Sequence, residues 1–123
     1  MAHSGRINSH RDLVVWQKAM DLAVDVYRLT QAFPKSELYG LTGQMRRAAA
    51  SVPANIAEGH ARGTAKDYAN FLAVAKGSLM ETETFITLSV RLGYATEEAS
   101  AGTLALIMEI SKMPTALRSK LRG

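Results

Sequence analysis

Five polar residues recur at intervals of three or four along one stretch of the sequence: Arg47, Ser51, Asn55, Glu58 and Arg62. On a helix, this spacing places them on one face within mutual reach. A Glu and an Asn could serve acid–base catalysis, but that chemistry needs a second titratable partner in a cleft, and this segment spaces no His or second carboxylate to supply one. We therefore predict no catalytic residue here. We predict instead a structural hydrogen-bonded network of Arg47, Ser51, Asn55 and Glu58 that fixes the helix register.

The histidines show no pattern of a metal or catalytic site. His3, His10 and His60 are scattered, and none has the Glu-x-x-His spacing that di-iron bundles use. The absence of cysteine removes thiolate zinc sites, cysteine nucleophiles and disulfides together. Ser51 has no base in reach on its own helix. The sequence thus predicts a protein that is not an enzyme, binds no metal and needs no cofactor.

The cations give the second chemistry to consider, which is contact with a polyanion. The net charge is +4 and the pI is about 9.6, and a basic balance favours a nucleic-acid partner without requiring one. No base-reading signature such as an RNP or zinc-finger motif is present, so specificity for RNA or DNA would come from shape or from a partner. A basic helix end also complements the helix dipole. The candidate phosphate-binding residues are Arg46, Arg47, Arg62, Lys66, Lys112, Arg118, Lys120 and Arg122.

Four helices must position these residues. A length of 123 residues fits one domain, with residues 1–11 as a flexible N-terminal arm and residues 12–123 as one all-α domain. Capping residues and glycines set the helix limits, and Pro114 should kink or restart the last helix near Met113. The predicted helices run from the cap Asp12 to about Ala32, from about Thr42 to Arg62, from the cap Thr64 to Leu92 before Gly93, and from the cap Thr96 to about Leu121.

Helices 1 and 4 carry more apolar surface than a monomeric bundle needs. Their apolar arcs span about 220°, whereas one buried stripe spans somewhat more than 100°. Either these helices are central in an asymmetric bundle, or their second stripes join subunits of a homo-oligomer, because contiguous exposed apolar patches are rare on monomers. We predict the oligomer. In helix 1, the inner stripe would be Leu13, Trp16, Met20, Val24 and Tyr27. The predicted interface is Val15, Ala19, Leu22, Val26, Leu106, Ile110, Met113 and Leu117.

The second helix has a small-residue face of Ala50, Ala54, Ala57 and Ala61, which would let a neighbouring backbone approach closely. Pro53 leaves the Ala49 carbonyl without its usual donor, so a bend or a side-chain substitute is expected there.

From this segment outward, the chain resembles the four-helix-bundle proteins encoded within intervening sequences of bacterial 23S ribosomal RNA genes. That family is similar in turn to the accessory protein of diversity-generating retroelements. The likeness covers about residues 12–121, and Pro114 departs from it. It is carried by Asp12-Leu13, Trp16-Gln17-Lys18, Glu37-Leu38-Tyr39-Gly40-Leu41, the Gln44–Gly59 segment with Arg47, Ala48, Ser51, Pro53, Asn55 and Glu58-Gly59, and Phe71-Leu72, Ala75, Gly77-Ser78-Leu79 and Glu81.

The resemblance implies an antiparallel up-down four-helix bundle and, in related proteins, a ring of five subunits around a channel. It implies no catalytic activity, and it relates the chain to proteins that bind nucleic acid and a reverse transcriptase. Two functions stay open at this point. The first is a homo-oligomeric module that binds RNA or DNA, and the second is a structural or assembly protein that docks a protein partner. No apolar run reaches the roughly 18 residues of a membrane span, so a cytoplasmic protein is expected.

Overall fold

The computed structural model describes the backbone of residues 9–122 and the side chains of residues 9–113. A short 3₁₀ turn, His10–Asp12, precedes the first helix, and a second, Lys35–Glu37, lies in the first connection. No strand occurs in the described part of the chain. The helices are α1 (Val14–Thr30), α2 (Leu41–Ala61), α3 (Ala65–Arg91) and α4 (Glu97–Arg122).

The limits of α3 and α4 follow from local capping chemistry. The Thr64 hydroxyl accepts from the Asp67 amide at 3.1 Å, and the Thr96 hydroxyl accepts from the Ala99 amide at 3.0 Å. Gly63 and Gly93 follow α2 and α3 with φ of +84° and +80°, a left-handed conformation that only glycine adopts at little cost. Both predicted caps and both predicted glycine stops are confirmed.

The start of α1 differs from the prediction. Asp12 does not cap this helix, because α1 begins at Val14 after Leu13, which provides no side-chain cap. Asp12 instead closes a capping box around the preceding turn: its carboxylate accepts from the Ser9 amide at 3.3 Å, while the Ser9 hydroxyl accepts from the Arg11 amide at 3.2 Å. Residues 9–11 of the predicted arm therefore belong to an ordered turn, and residues 1–8 lie outside the described residues.

Neither internal proline divides its helix. α2 continues through Pro53, and α4 runs as one element from Glu97 to Arg122. The predicted restart near Met113 is therefore wrong, whereas a kink there, like the bend expected at Pro53, stays a prediction. A proline removes one backbone donor, and the hydrogen bonds of the neighbouring turns are enough to carry the helix across it.

The helices pack around one core, with α1 against α2 and α4, and α3 against α2 and α4. α2 and α3 are antiparallel to each other. Gly59, near the end of α2, lies against Phe71 near the start of α3, and Ser51, earlier in α2, bonds to Ser78, later in α3. The predicted all-α class and four-helix bundle are confirmed, and the antiparallel up-down order of the whole bundle stays a prediction. The largest fully buried apolar side chains are Val15, Leu22, Val26, Met45, Val52, Ile56, Leu79, Ile86, Ile107 and Ile110.

The two apolar stripes of α1 are reversed relative to the prediction over most of their length, whereas Leu13 is buried and Trp16 packs against the core as predicted. The stripe expected at a subunit interface has no exposed surface in the single chain: Val15, Ala19, Leu22 and Val26 are each 0% exposed. The stripe expected inside is exposed instead: the exposed fractions of Met20, Val24 and Tyr27 lie between 40% and 47%. The reason is position: the arc of α1 centred near Leu22 faces the gap between α2 and α4.

The interface predicted on α4 is corrected in the same way. Ile110 is 1% exposed and belongs to the core. Leu106 and Met113 are half-buried and pack against that core. The side chain of Leu117 lies outside the described residues. The excess apolar surface of the bundle therefore lies elsewhere than on the predicted interface.

Candidate nucleic-acid interface

The polar face of α2 divides into two separate groups. The Asn55 amide donates to the Ser51 carbonyl at 2.8 Å and to the Ser51 hydroxyl at 2.9 Å, and that hydroxyl shares a hydrogen bond of 2.9 Å with Ser78 of α3. Glu58 takes no part, because it pairs with Arg62 at 2.9 Å on the surface. Arg47 is exposed and makes no hydrogen bond or ion pair with the described residues. The predicted network is thus reduced to a Ser51–Asn55 pair that ties α2 to α3.

Arg46 is held inside the chain and does not present a free guanidinium. Its Nε donates to the Thr30 hydroxyl at 2.9 Å, and Nη2 donates to the Tyr27 carbonyl at 3.4 Å. The guanidinium also lies 4.7 Å from the centre of the Tyr27 ring. These contacts hold the start of α2 against the end of α1. Arg46 therefore has a structural role that engages part of its donor set, and its phosphate contact stays a prediction.

The other predicted cations differ in how free they are. Arg62 is half-exposed, pairs with Glu58 and stacks over Phe71 at 5.1 Å. Lys66 and Lys112 are exposed and have no ion-pair partner among the described residues. Arg118, Lys120 and Arg122 occupy the last turns of α4, and their side chains lie outside the described residues.

Most of these cations lie at one end of the bundle. Arg46 bonds to Thr30, so α2 begins beside the end of α1 and finishes near its start. Lys18 pairs with Glu109 at 2.8 Å, which brings the second half of α4 to the same place. The start of α1, the turn between α2 and α3 and the last part of α4 therefore lie at the same end of the bundle, which we call the basic end. The cations associated with it are Arg62, Lys66, Lys112, Arg118, Lys120 and Arg122.

The distribution of charge along the chain agrees with this grouping of cations at one end. Residues 9–113 contain 11 Lys and Arg and all 11 Asp and Glu, so this part of the chain is electrically neutral. The whole net charge of +4 comes from Arg6, Arg118, Lys120 and Arg122. Glu97 and Glu98 open α4 at the opposite end of that helix. The protein is therefore polarised along the bundle axis, which is a feature that net charge alone does not reveal.

Two groups of exposed apolar residues are of interest for binding. The other exposed large apolar side chains of the described residues are Val14, Val74, Met80, Leu88, Leu92 and Met108. Met20, Val24 and Tyr27 follow one another at intervals of four and three residues, so they form a contiguous stripe along α1. Tyr39, in the turn before α2, is 97% exposed, and its neighbour Leu38 is 45% exposed. Sequence periodicity could not single out Tyr39, because it lies between two helices. The only signal was a Leu-Tyr pair inside a polar turn.

The surface also has several open clefts. One of about 430 Å³ separates the end of α3 from the start of α4 and is lined by Thr87, Val90, Arg91, Glu97, Ser100, Ala101 and Leu104. Among residues 9–113, no three His, Asp or Glu side chains are grouped to hold a metal ion. No described helix is long and apolar enough to cross a membrane.

Comparison with solved structures finds a similar fold in Bacteroides thetaiotaomicron. The crystal structure is of a protein of unknown function from the S23 ribosomal protein family. It superposes with a TM-score of 0.75 at 26% identity, covering 85% of this chain and 98% of that one. A search of curated proteins finds no match.

Comparison with protein families matches residues 11–116 to the family described as 23S rRNA-intervening sequence protein. The match includes all of α1, α2 and α3 and most of α4. It also includes the Ser51–Asn55 pair and the turn that carries Tyr39. The chain therefore belongs to the 23S rRNA-intervening sequence protein family.

Proposed function

We propose that this protein is a non-catalytic, self-associating helical bundle that binds the phosphate backbone of RNA or DNA through its basic end. The observation that best supports this proposal is the uneven distribution of charge. The net charge of +4 comes entirely from the two termini, and three of those four cations lie in the last turns of α4. Arg62, Lys66 and Lys112 extend the same end with exposed cations. We also propose a cytoplasmic location. A likeness to retroelement accessory proteins is part of the same proposal and favours a nucleic-acid partner.

Binding of this kind depends on counterion release, so its affinity should fall steeply with salt. We would measure binding of a labelled RNA hairpin and of a DNA duplex of the same sequence between about 50 and 300 mM salt. The double substitution Arg118→Ala and Lys120→Ala should weaken both complexes by about tenfold and lower the salt slope by about one unit per lost contact.

A matched control removes the same charge elsewhere. Arg28 and Lys76 are exposed and lie away from the basic end, so Arg28→Ala with Lys76→Ala should leave binding within about twofold. Equal losses in both double variants would mean that only net charge matters. Absence of binding to either probe at about 50 mM salt would refute the nucleic-acid role.

Self-association is the second part of the proposal. The contiguous stripe of Met20, Val24 and Tyr27 supports it, because such a stripe on a monomer would remain in contact with water. The sequence resemblance favours five subunits, so light scattering at micromolar concentration should give about five times the 13.3 kDa chain mass. Met20→Asp with Val24→Asp should lower that mass without lowering the helix content. A monomeric wild-type protein would refute this part.

The alternative function is a structural or assembly protein that docks a protein partner, with its charge serving solubility. The same α1 stripe favours it, because apolar contacts do not depend on salt. Capture of a partner from nuclease-treated host extract, lost in the Met20→Asp and Val24→Asp variant and kept in the Arg118→Ala and Lys120→Ala variant, would support this alternative. Capture that occurs only in untreated extract and is lost in the Arg118→Ala and Lys120→Ala variant would support nucleic-acid binding.

A further inference from the structure

Tyr39 is the most exposed large hydrophobic side chain of the described surface, and hydrogen bonds fix the turn that carries it. The Glu37 carboxylate accepts from the Leu41 amide at 3.2 Å and from the Tyr94 hydroxyl at 2.9 Å. A Cβ at Gly40 would lie only 2.8 Å from Glu37 Oε1, so glycine leaves room for this carboxylate. Tyr39 is therefore held outward on a rigid turn, 97% exposed. A large aromatic presented this way loses little conformational entropy on docking.

A receiving site lies at the same end of the bundle. The Glu37–Tyr94 hydrogen bond brings this turn to the connection between α3 and α4. Beside that connection is the cleft of about 430 Å³, whose apolar walls include Val90, Ala101 and Leu104. No described side chain fills it. Its volume exceeds that of a tyrosine side chain, and its apolar lining suits an aromatic ring.

The charges around the two features are opposite. Lys35, four residues before Tyr39, is exposed and has no ion-pair partner among the described residues. Glu97 lines the cleft and Glu98 follows it, and both are exposed. Arg91, on the α3 wall of the cleft, offsets one of these two carboxylates, so the cleft keeps a net negative charge. That charge disfavours nucleic-acid phosphates and favours a turn whose lysine has no described ion-pair partner. The chain itself supplies such a turn, so a second copy of this chain is the occupant that fits.

We propose that Tyr39 of one copy inserts into the α3–α4 cleft of the next copy, with Lys35 facing Glu97 and Glu98. This inference rests on the proposed self-association and names the central anchor of that contact, to which the α1 stripe of Met20, Val24 and Tyr27 would add apolar area. The anchor and the cleft are different surfaces, so the contact is heterologous, and repeating it closes a ring when the rotation fits. A ring of five is one such closure.

Two single variants, each of which disables one side of this contact, test it. Tyr39→Ala removes the anchor and keeps the cleft, whereas Ala101→Trp fills the cleft and keeps the anchor. Each should raise the dissociation constant for self-association by at least roughly thirtyfold, as loss of a central aromatic anchor does. Tyr39 is 97% exposed and Ala101 is exposed, so circular dichroism should show the same helix content in both variants. Loss of association removes stabilisation by mass action, so the melting temperature should fall only at protein concentrations at which wild type is assembled.

Mixing the two variants is the decisive measurement. The intact anchor of Ala101→Trp can enter the intact cleft of Tyr39→Ala, and no further copy can then add. Native mass spectrometry should therefore show a one-to-one pair in the mixture and monomers in each separate sample. If the Tyr39→Ala variant assembles as wild type does, or if the mixture gives no pair, the inference is overturned, whereas the proposed self-association is not. A monomeric wild-type protein would overturn both.

A charge exchange gives a second measurement on a different pair of residues. Lys35→Glu should weaken self-association by about tenfold, because it places a carboxylate against Glu97 and Glu98. Combining Lys35→Glu with Glu97→Lys in one chain should recover most of that loss. No recovery in the double variant would show that Lys35 does not face Glu97 and would overturn the proposed orientation of the turn.

Discussion

The contact between α2 and α3 and the contact between α1 and α4 hold the bundle together in different ways. Between α2 and α3 the backbones approach so closely that a Cβ at Gly59 would lie 2.6 Å from the Cβ of Phe71. Between α1 and α4 the described polar link is the Lys18–Glu109 ion pair, whose side chains are 32% and 52% exposed. Farther along the same two helices, a cleft of about 550 Å³ separates Asp25 and Leu29 from the start of α4.

This difference indicates which part of the molecule can vary. A close backbone approach depends on the absence of a side chain, so nearly any substitution there disturbs two helices at once. An exposed ion pair beside an open cleft tolerates substitution and leaves surface for other contacts. We therefore expect α2 and α3 to set the stability of the bundle, and α1 and α4 to offer surface for binding.

Gly59→Ala should give the largest effect. The added methyl group meets the Cβ of Phe71 and a ring carbon of Tyr68 at 3.1 Å, neither of which is a flexible side-chain end. Overpacking of this kind should lower the free energy of unfolding by about 2 kcal/mol, even after the better helix propensity of alanine. Gly77→Ala is the matched control, because nothing lies within 4 Å of its Cβ position; it should raise stability by up to about 1 kcal/mol. Urea unfolding of both variants measures this, and equal signs would contradict the proposed close packing.

Asn55→Ala should give the next largest effect. It removes both hydrogen bonds to Ser51 at the contact with α3, and the expected loss is about 1 kcal/mol. Asn55→Asp should be worse than alanine, because it places a carboxylate against the Ser51 carbonyl oxygen. Asn70→Ala, on the exposed face of α3, is the control and should stay within about 0.5 kcal/mol of wild type. An Asn55→Ala variant as stable as wild type would show that donation by the amide does not matter.

Tyr68→Phe tests a weak point of the same contact. The Tyr68 hydroxyl is buried and has no hydrogen-bond partner among the described residues, and phenylalanine keeps the ring and removes that group. At neutral pH the free energy of unfolding should stay unchanged or rise by up to about 1 kcal/mol. Chemical denaturation at pH 7 measures this change. A loss of more than about 1 kcal/mol would mean that the hydroxyl has a partner.

The same variant predicts a change in alkaline stability. Burial raises the pKa of Tyr68 to about 12 from its usual value of 10.0, so the folded state holds this proton more tightly than the unfolded state does. The contribution is fully present below pH 10 and is lost as the pH rises through 12. The melting temperature of wild type should therefore fall more steeply than that of Tyr68→Phe across this window. Parallel curves would contradict the assigned cause.

The sequence was a good guide wherever the deciding groups are neighbours in the chain. Thr64 and Thr96 cap amides three residues ahead, and Gly63 and Gly93 stop the helices that precede them. Such signals act within one turn, so α3 and α4 could be predicted to within about two residues. The number of helices and the fold class followed from the same signals.

The orientation of α1 could not be predicted for a physical reason. Its two stripes are both apolar, so hydrophobicity alone does not distinguish Leu22, at 0% exposure, from Val24, at 43%. The choice is made by α2 and α4, which pack on either side of Leu22. The candidate site shows the same limit: Arg46 reaches Thr30 and Tyr27, 16 and 19 residues away, whereas Lys66 stays free.

Lys18→Ala should give the smallest effect, and it tests the α1–α4 side of the comparison. Both partners of the Lys18–Glu109 pair are substantially exposed, so the attraction is screened by solvent and salt, and the loss should stay below about 0.5 kcal/mol. A double-mutant cycle with Glu109→Ala isolates the pair from other effects of each substitution. Its coupling energy should be at most about 0.5 kcal/mol and should shrink at high salt. A coupling above about 1.5 kcal/mol would mean that α1 and α4 are joined as specifically as α2 and α3, and the proposed division between a stability-setting pair of helices and a binding pair would fail.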